Sequence, residues 1–159
     1  MYIIVDTIRG MTLYEKIFKA GQMTEAEAAL ITQRMLSMVR YLHSNGIAHR
    51  NLRPEMIFFE TDSNLYDLKI LDFLTFGEVS KVSGKPTIVL DQEADLLEML
   101  LNCCHCYTRS PELVSICERD YGAKADMWSV GVILYNMLTG IPPFYESTEY
   151  EIKSKIKIG

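Results

Sequence analysis

Apolar residues recur at helical spacing in two segments near the start of the chain, and each segment opens with a capping-box pattern. Thr12 with Glu15 opens a short segment, and Thr24 with Glu27 opens a longer one that continues to about residue 44. In a capping box, the two side chains satisfy backbone N–H groups that a helix start leaves unpaired. The longer helix is predicted to bury one face, formed by Ala28, Ile31, Met35, Met38 and Leu42.

Short apolar runs predict β-strands in three places. Residues 1–5, within "MYIIVD", form a β-branched and aromatic run. The runs "MIFFE" and "LKILDF", separated by "TDSNLYD", predict a hairpin of two small strands. Residues 75–90 are expected to be irregular because glycine and proline interrupt them, and residues 91–102 predict an amphipathic helix.

Residues 126–138, "DMWSVGVILYNML", are apolar on nearly every side of a helix. Such a helix is expected at the centre of a core, and the following Gly140 and "IPPF" should end it. Thr148 with Glu151 forms a third capping box, for a final helix. The whole pattern predicts a mainly α-helical fold with short β hairpins, in the α+β class.

Composition and charge limit the kinds of partner to expect. The chain has 159 residues, 48% hydrophobic and 23% charged, with a net charge of -5. One domain is expected, and the negative charge argues against a nucleic-acid partner. No apolar run is long enough to span a membrane, and the first residues lack a signal-peptide pattern, so a cytoplasmic protein without a membrane partner is expected.

The four cysteines raise the question of a zinc site. Cys103 and Cys106 have Cys-x-x-Cys spacing, and His105 lies between them. A structural zinc ion needs four ligands, which usually come from two such pairs, and the chain has one. In a reducing compartment these residues are expected to be free thiols, and no zinc is expected.

Four motifs resemble the C-terminal lobe of a eukaryotic protein kinase, and they occur in the order of that family. "HRNLRPEMIFF" resembles the catalytic loop, "LKILDFL" the metal-binding Asp-Phe-Gly segment, "YTRSPE" the end of the activation segment, and "DMWSVGVILYNMLTGIPPF" the buried helix behind it. The "RPE" sequence favours the Ser/Thr branch, and "MLTGIPPF" is similar to the calcium/calmodulin-dependent and calcium-dependent groups. No calcium-binding helix–loop–helix pattern is present in the sequence.

The resemblance implies one partial kinase domain over residues 1–159. Residues 1–6 resemble the strand that leads into the hinge, and residues 7–140 the core of the C-lobe. Within that core, residues 47–60 correspond to the catalytic loop and residues 72–112 to the activation segment. Residues 141–159 correspond to the start of a truncated helical segment, and the motifs of the N-lobe are not found in the sequence.

The catalytic loop departs from the family pattern at its reactive positions. Asn51 stands at the position of the catalytic base, where the family has aspartate, and is a very poor base. Arg53 stands at the catalytic lysine position and keeps its positive charge. Met56 replaces the asparagine that binds one magnesium ion, and a thioether is a poor ligand for Mg²⁺.

The resemblance also implies a nucleotide site with Mg–ATP as cofactor, but in altered form. Asp72 is the remaining metal-ligand candidate, either as a weak Mg²⁺ ligand or as a carboxylate that caps backbone amides. Phe58 falls under the expected adenine ring, where it would narrow the pocket or stack. Leu74 replaces the glycine of Asp-Phe-Gly, which should restrict that segment.

Four residues are implied to keep structural roles. His49 and Arg50 support the catalytic loop and the activation segment, and Asp126 holds the backbone of the catalytic loop. Glu112 normally pairs with an arginine from a later helix of the family, which this sequence does not include.

Three functional hypotheses follow. The first is an inactive, pseudokinase-like C-lobe that binds a protein partner. The second is a residual or split Ser/Thr kinase that uses Mg–ATP and receives its N-lobe from another chain; restoring Asn51 to aspartate should then increase phosphorylation. The third is an incomplete gene product without independent function, which would expose a large apolar surface.

Overall fold

The computed structural model describes residues 7–61, 64–71, 77–78, 106–114 and 123–159. The helices are α1 (Leu13–Ala20), α2 (Glu25–Ser44), α3 (Pro111–Val114), α4 (Ala123–Thr139) and α5 (Glu149–Ile158). The strands are β1 (Ile47–Ala48), β2 (Ile57–Phe59), β3 (Leu68–Ile70) and β4 (Gly77–Glu78). Single 3₁₀ turns cover Pro54–Met56 and Cys106–Thr108. The mainly helical fold with short strand pairs predicted from the sequence is confirmed.

All three predicted capping boxes are present. At the start of α2, the Thr24 hydroxyl accepts a hydrogen bond from the Glu27 N–H, and the Glu27 carboxylate accepts one from the Thr24 N–H. The same reciprocal bonds open α1 and α5. These helix starts are encoded locally, because residues three positions apart satisfy each other's backbone groups.

The hydrophobic core lies mainly between α2 and α4, which make the most extensive helix–helix contact in the described part of the chain. From α2 it contains Ala28, Ile31, Met35 and Val39, and from α4 Val130, Ile133 and Met137. The hairpin adds Ile57 and Phe59, and α1 adds Leu13 and Ile17. Burial of these side chains holds the two long helices and the hairpin together.

Two antiparallel strand pairs lie at the edge of this core. The predicted hairpin is formed by β2 and β3, with Ile57 opposite Ile70 and Phe59 opposite Leu68. The second pair joins β1 to β4. Strand β4 lies within residues 75–90, which were expected to be irregular. That expectation was wrong at positions 77–78, because a two-residue strand is too short to show a periodic pattern.

Helix α4 is less buried than its composition predicts. It begins at Ala123, three residues before the predicted start, and buries Asp126, Ser129, Ile133 and other residues. The opposite side is exposed at Met127, Tyr135 and Leu138. The prediction of a helix buried on every side is therefore wrong for this face, which we call the open face of α4.

The end of α4 is fastened to the connection between α1 and α2. The N–H of Met23 donates to the carbonyl of Met137 over 2.8 Å. Gly140 has a left-handed backbone, with φ of 81°, and a Cβ at this position would collide with the Gly21 carbonyl oxygen. Glycine is therefore required at position 140 for both its backbone conformation and the available space.

Several predicted features lie outside the described residues: the strand at residues 1–5, the helix at residues 91–102, Asp72, Leu74 and the Cys103–His105 cluster. Among the helices that the structure describes, none is both long enough and apolar enough to cross a membrane.

Candidate active site

The predicted catalytic loop is held by the carboxylate of Asp126. This side chain points from the first turn of α4 and is fully buried. One of its oxygens accepts a hydrogen bond from the Arg50 N–H over 2.6 Å, and the other accepts one from the His49 N–H over 2.9 Å. This is the contact that the kinase resemblance implied for Asp126. We call His49, Arg50 and Asp126 the loop frame.

His43 is a further partner of the loop frame that the sequence reasoning missed. Its Nε2 lies 2.7 Å from the Asp126 oxygen that also accepts the His49 N–H. The imidazole comes from the last turn of α2, so it joins both long helices to the loop. A buried carboxylate needs several hydrogen-bond donors, and that requirement was the available signal for a third partner.

His49 connects the loop frame to the end of β3. Its Nδ1 accepts a hydrogen bond from the Asn51 N–H, and its Nε2 lies 3.2 Å from the Leu71 carbonyl oxygen. Since a carbonyl only accepts and Nδ1 here accepts as well, the bonds fit a neutral ring protonated on Nε2. The position directly after Leu71 is Asp72, which lies outside the described residues.

Arg50 has an uncommon backbone conformation. Its φ is 69°, in the left-handed region, and it is the single non-glycine residue with positive φ in the described part of the chain. Such a conformation costs free energy in a side-chain-bearing residue and persists only where the surroundings fix it. The bond from the Arg50 N–H to Asp126 is one of the contacts that fix it.

Asn51, Arg53 and Met56 follow the loop frame in order, and all three are half-buried. Asn51 is tied to His49 through its own N–H. The Met56 N–H donates to the Arg53 carbonyl, and the Met56 carbonyl accepts from the Leu71 N–H over 2.9 Å. The backbone thus places the three substituted positions along one loop, with Met56 bonded to Leu71.

Phe58 lies on the other face of the hairpin from the core. It is paired with Lys69 in β3 and is half-buried, whereas its neighbours Ile57 and Phe59 are buried. Successive side chains of a strand point to opposite faces, so Phe58 faces away from the α2–α4 core. Its predicted place under an adenine ring stays a prediction.

The described residues of the site do not fit a magnesium ion. Asn51 offers a neutral amide and Met56 a soft thioether, whereas Mg²⁺ prefers carboxylate, phosphate and water oxygens. Among the described residues, no group of three His, Cys, Asp or Glu side chains could hold a metal ion. Asp72 lies outside them, so its role as a ligand stays a prediction.

A second anchor of the loop joins residues far apart in the chain. The Tyr107 hydroxyl donates to Glu55 over 2.8 Å, which connects the Cys106–Thr108 turn to the Pro54–Met56 turn. Burial and the adjacent Glu55 carboxylate raise the pKa of Tyr107 well above its usual range. The sequence analysis missed this pair, and nothing local in the sequence signals a contact between residues 52 positions apart.

The Cys106–Thr108 turn is also bound to α4, because the Ser129 hydroxyl donates to the Thr108 carbonyl over 2.8 Å. Glu112 follows in α3. Among the described residues it has no ion-pair partner, and the missing arginine proposed for it stays a prediction.

The pattern of the protein kinase domain family matches residues 1–158. Myosin light chain kinase A of Dictyostelium discoideum is 34% identical over 98% of this chain and 48% of its own length. Calcium-dependent protein kinase 3 of Plasmodium yoelii yoelii is 32% identical over 100% of this chain and 27% of its own. Calcium-dependent protein kinase 20 of Oryza sativa subsp. japonica is 31% identical over 98% of this chain and 25% of its own.

The chain thus spans about a quarter to a half of the length of these relatives. The family match covers nearly the whole chain, and the relatives are Ser/Thr-type kinases, including calcium-dependent ones. Such kinases generally use Mg–ATP. The chain belongs to the protein kinase family and is a kinase-like fragment of the Ser/Thr type.

Proposed function

We propose that this chain is a protein kinase C-lobe that does not catalyse phosphoryl transfer and that acts as a protein-binding module. One observation carries the proposal. Asp126 holds the His49 and Arg50 backbone in place, while the next residue, at the position of the base, is Asn51. The support for the catalytic loop is therefore retained without the group that would accept a proton.

The chemical effect of Asn51 can be estimated. A neutral amide can orient a substrate hydroxyl but cannot accept its proton, and general-base catalysis typically contributes about 10²–10⁴-fold to the rate. Met56 removes an oxygen ligand for Mg²⁺, and charge neutralisation by the metal is central to phosphoryl transfer. The two substitutions act on different parts of the reaction, so their effects should combine.

The open face of α4 supports the binding part of the proposal. Met127 and Tyr135 are both nearly half exposed, and they lie on one side of the helix that also forms the core. Exposed apolar side chains that lie together on a rigid element are typical of protein-interaction surfaces. A partner protein that packs against α4 would bury them.

Catalysis is tested with the purified chain, Mg–ATP and a generic Ser/Thr peptide. We expect no phosphopeptide and no thermal stabilisation, whereas a ligand at about 100-fold over its Kd would stabilise the chain by about 2.7 kcal/mol. Phosphopeptide formation that is lost on heat denaturation would contradict inactivity and favour a residual kinase. A gain of activity in the Asn51→Asp, Met56→Asn double variant alone would identify these positions as the cause.

Binding is tested separately with the Met127→Glu, Tyr135→Glu variant. Proteins retained by the immobilised wild-type chain should be lost with this variant but kept by Tyr145→Glu, which changes an exposed tyrosine outside α4. Circular dichroism verifies that all three chains fold equally. Equal retention by the three chains would contradict a binding role for the open face.

A further inference from the structure

A cavity of about 470 Å³ lies between α2 and the β2–β3 hairpin, and nothing in the proposed function uses it. Helix α2 contributes one wall and strand β3 with its preceding residues contributes the other. The lining residues are Arg34, Ser37, Met38, Tyr41, Leu42, Tyr66, Leu68 and Ile70. We call this cavity the α2–hairpin groove.

The groove and the predicted nucleotide position lie on opposite faces of the hairpin. Leu68 and Ile70 pack against the hydrophobic core and line the groove. Lys69, between them, is paired with Phe58, and side chains alternate between faces along a strand. A molecule in the groove would therefore contact neither Phe58 nor the catalytic loop around Asn51.

The groove has an apolar floor and an aromatic rim. Met38 and the two β3 side chains form part of the floor and are half-buried. Tyr41 and Tyr66 stand at the rim with 70% and 56% of their surfaces exposed, so their rings are available to a ligand. Flat apolar groups bind well in such a place, since aromatic rings stack with large contact area.

Arg34 supplies the single charge of the described lining. Its guanidinium lies 5.5 Å from the centre of the Tyr66 ring, a cation–π contact that positions it at the rim. No carboxylate is found among the described lining residues, although the chain as a whole carries a charge of -5. The groove therefore favours an anion locally, and a planar guanidinium suits a carboxylate in particular.

We propose that the α2–hairpin groove binds a small amphipathic carboxylate, with a flat apolar body between Tyr41 and Tyr66 and its carboxylate on Arg34. The volume lies within the range of about 300–1,000 Å³ that is usual for small-molecule sites. A concave cavity of this size with one charged group at its rim matches one compact ligand better than a broad protein surface.

The test uses 2-naphthoate as the probe and isothermal titration calorimetry as the measurement. Its neutral analogue, naphthalene-2-methanol, has the same ring system without the charge. Arg34→Met removes the proposed carboxylate partner, and Arg40→Met is the matched control because Arg40 is an exposed arginine of the same helix outside the lining. Ser37→Trp places a large side chain at the exposed wall and should fill the groove.

We expect one naphthoate per chain for the wild type, Arg40→Met and Phe58→Ala. Arg34→Met should weaken naphthoate binding roughly tenfold or more and leave the neutral analogue unchanged, because a hydrogen bond to a charged group is lost. Ser37→Trp should abolish binding of both probes in a chain with an unchanged circular dichroism spectrum.

Three results would overturn the proposal. The first is no saturable naphthoate binding to the folded wild type; the second is equal weakening by Arg34→Met and Arg40→Met, which would indicate attraction by general charge. Sensitivity to Phe58→Ala would place the probe at the predicted nucleotide site and would likewise refute the groove. Because the probe needs no phosphoryl transfer, each outcome is independent of the proposed loss of catalysis.

Discussion

The loop frame and the substituted positions beside it belong to one loop but differ in how firmly they are held. His49 and Arg50 are buried and bonded to a fully buried Asp126. Asn51 and Met56 are half-buried, and their backbones are bonded to other parts of the loop region. The support for the loop thus depends on buried polar groups, whereas the reactive positions are only half-buried.

The largest effect is expected for Asp126→Ala. The change leaves the His49 and Arg50 N–H groups and the His43 ring without their common acceptor in a buried place. We expect a loss of about 3–5 kcal/mol in the free energy of unfolding, measured by urea denaturation. The exposed Asp67→Ala should change it by about 0.5 kcal/mol or less. A small effect of Asp126→Ala would remove the basis for calling these residues a frame.

Tyr107→Phe should have the next largest effect. It removes the hydrogen bond to Glu55 and leaves that partly buried carboxylate without its phenol partner, at a cost of about 1–3 kcal/mol. An exposed tyrosine, Tyr150→Phe, is the matched control. If both variants unfold at the same urea concentration, the Tyr107–Glu55 hydrogen bond contributes nothing to stability.

The same pair predicts a pH dependence. The pKa of Tyr107 is higher in the folded chain than its ordinary value of 10.0, because burial and Glu55 disfavour the phenolate. The stability that this raised pKa contributes is therefore complete below about pH 10. It is lost above that pH, where the unfolded chain releases the phenol proton more readily than the folded chain does. Between pH 9 and pH 11, the free energy of unfolding measured in urea should fall more for the wild type than for Tyr107→Phe. Equal losses would contradict this assignment.

His43→Ala should have a smaller effect than either change, about 1 kcal/mol, because Asp126 keeps two of its three donors. His43→Gln retains a donor group of similar reach and should recover part of the loss in the same urea measurement. Recovery by glutamine would attribute the effect to the hydrogen bond, whereas an equal loss in both variants would attribute it to packing of the ring.

The smallest effect is expected for Asn51→Asp. Asn51 is half-buried, and aspartate has nearly the same size and shape and keeps the backbone N–H that donates to His49. The free energy of unfolding, measured by urea denaturation, should change by no more than about 0.5 kcal/mol. A loss comparable with that of Tyr107→Phe would mean that the fold does require the amide, and would remove the contrast between frame and reactive positions.

Local signals predicted the helices, and longer-range contacts were predicted less well. Thr12, Thr24 and Thr148 each meet a glutamate three residues on, so their capping boxes could be read directly. The contact of Asp126 with the loop followed from the kinase resemblance. The His43–Asp126 and Tyr107–Glu55 contacts join residues 83 and 52 positions apart, and no sequence period encodes such pairs.

Helix α4 shows a second limit of the sequence pattern. Its apolar composition predicted burial on every side, yet Tyr135 and Met127 remain exposed. Composition reports what a helix could bury, whereas burial also depends on which other elements are present to cover it. The α2–hairpin groove was missed for a similar reason, since Arg34 and Tyr66 come from segments without a common sequence motif.

The junction between Gly140 and the α1–α2 connection has a consequence for dissecting this chain. The N–H of Met23 donates to the carbonyl of Met137, and Gly140 fits closely against Gly21. The connection between α1 and α2 therefore depends on residues at the C-terminal end of α4. A shortened version that stops before residue 137 would remove the carbonyl that accepts the Met23 N–H and so detach the segment before α2 from α4. A shortened chain meant to keep this junction should therefore include both Met137 and Gly140.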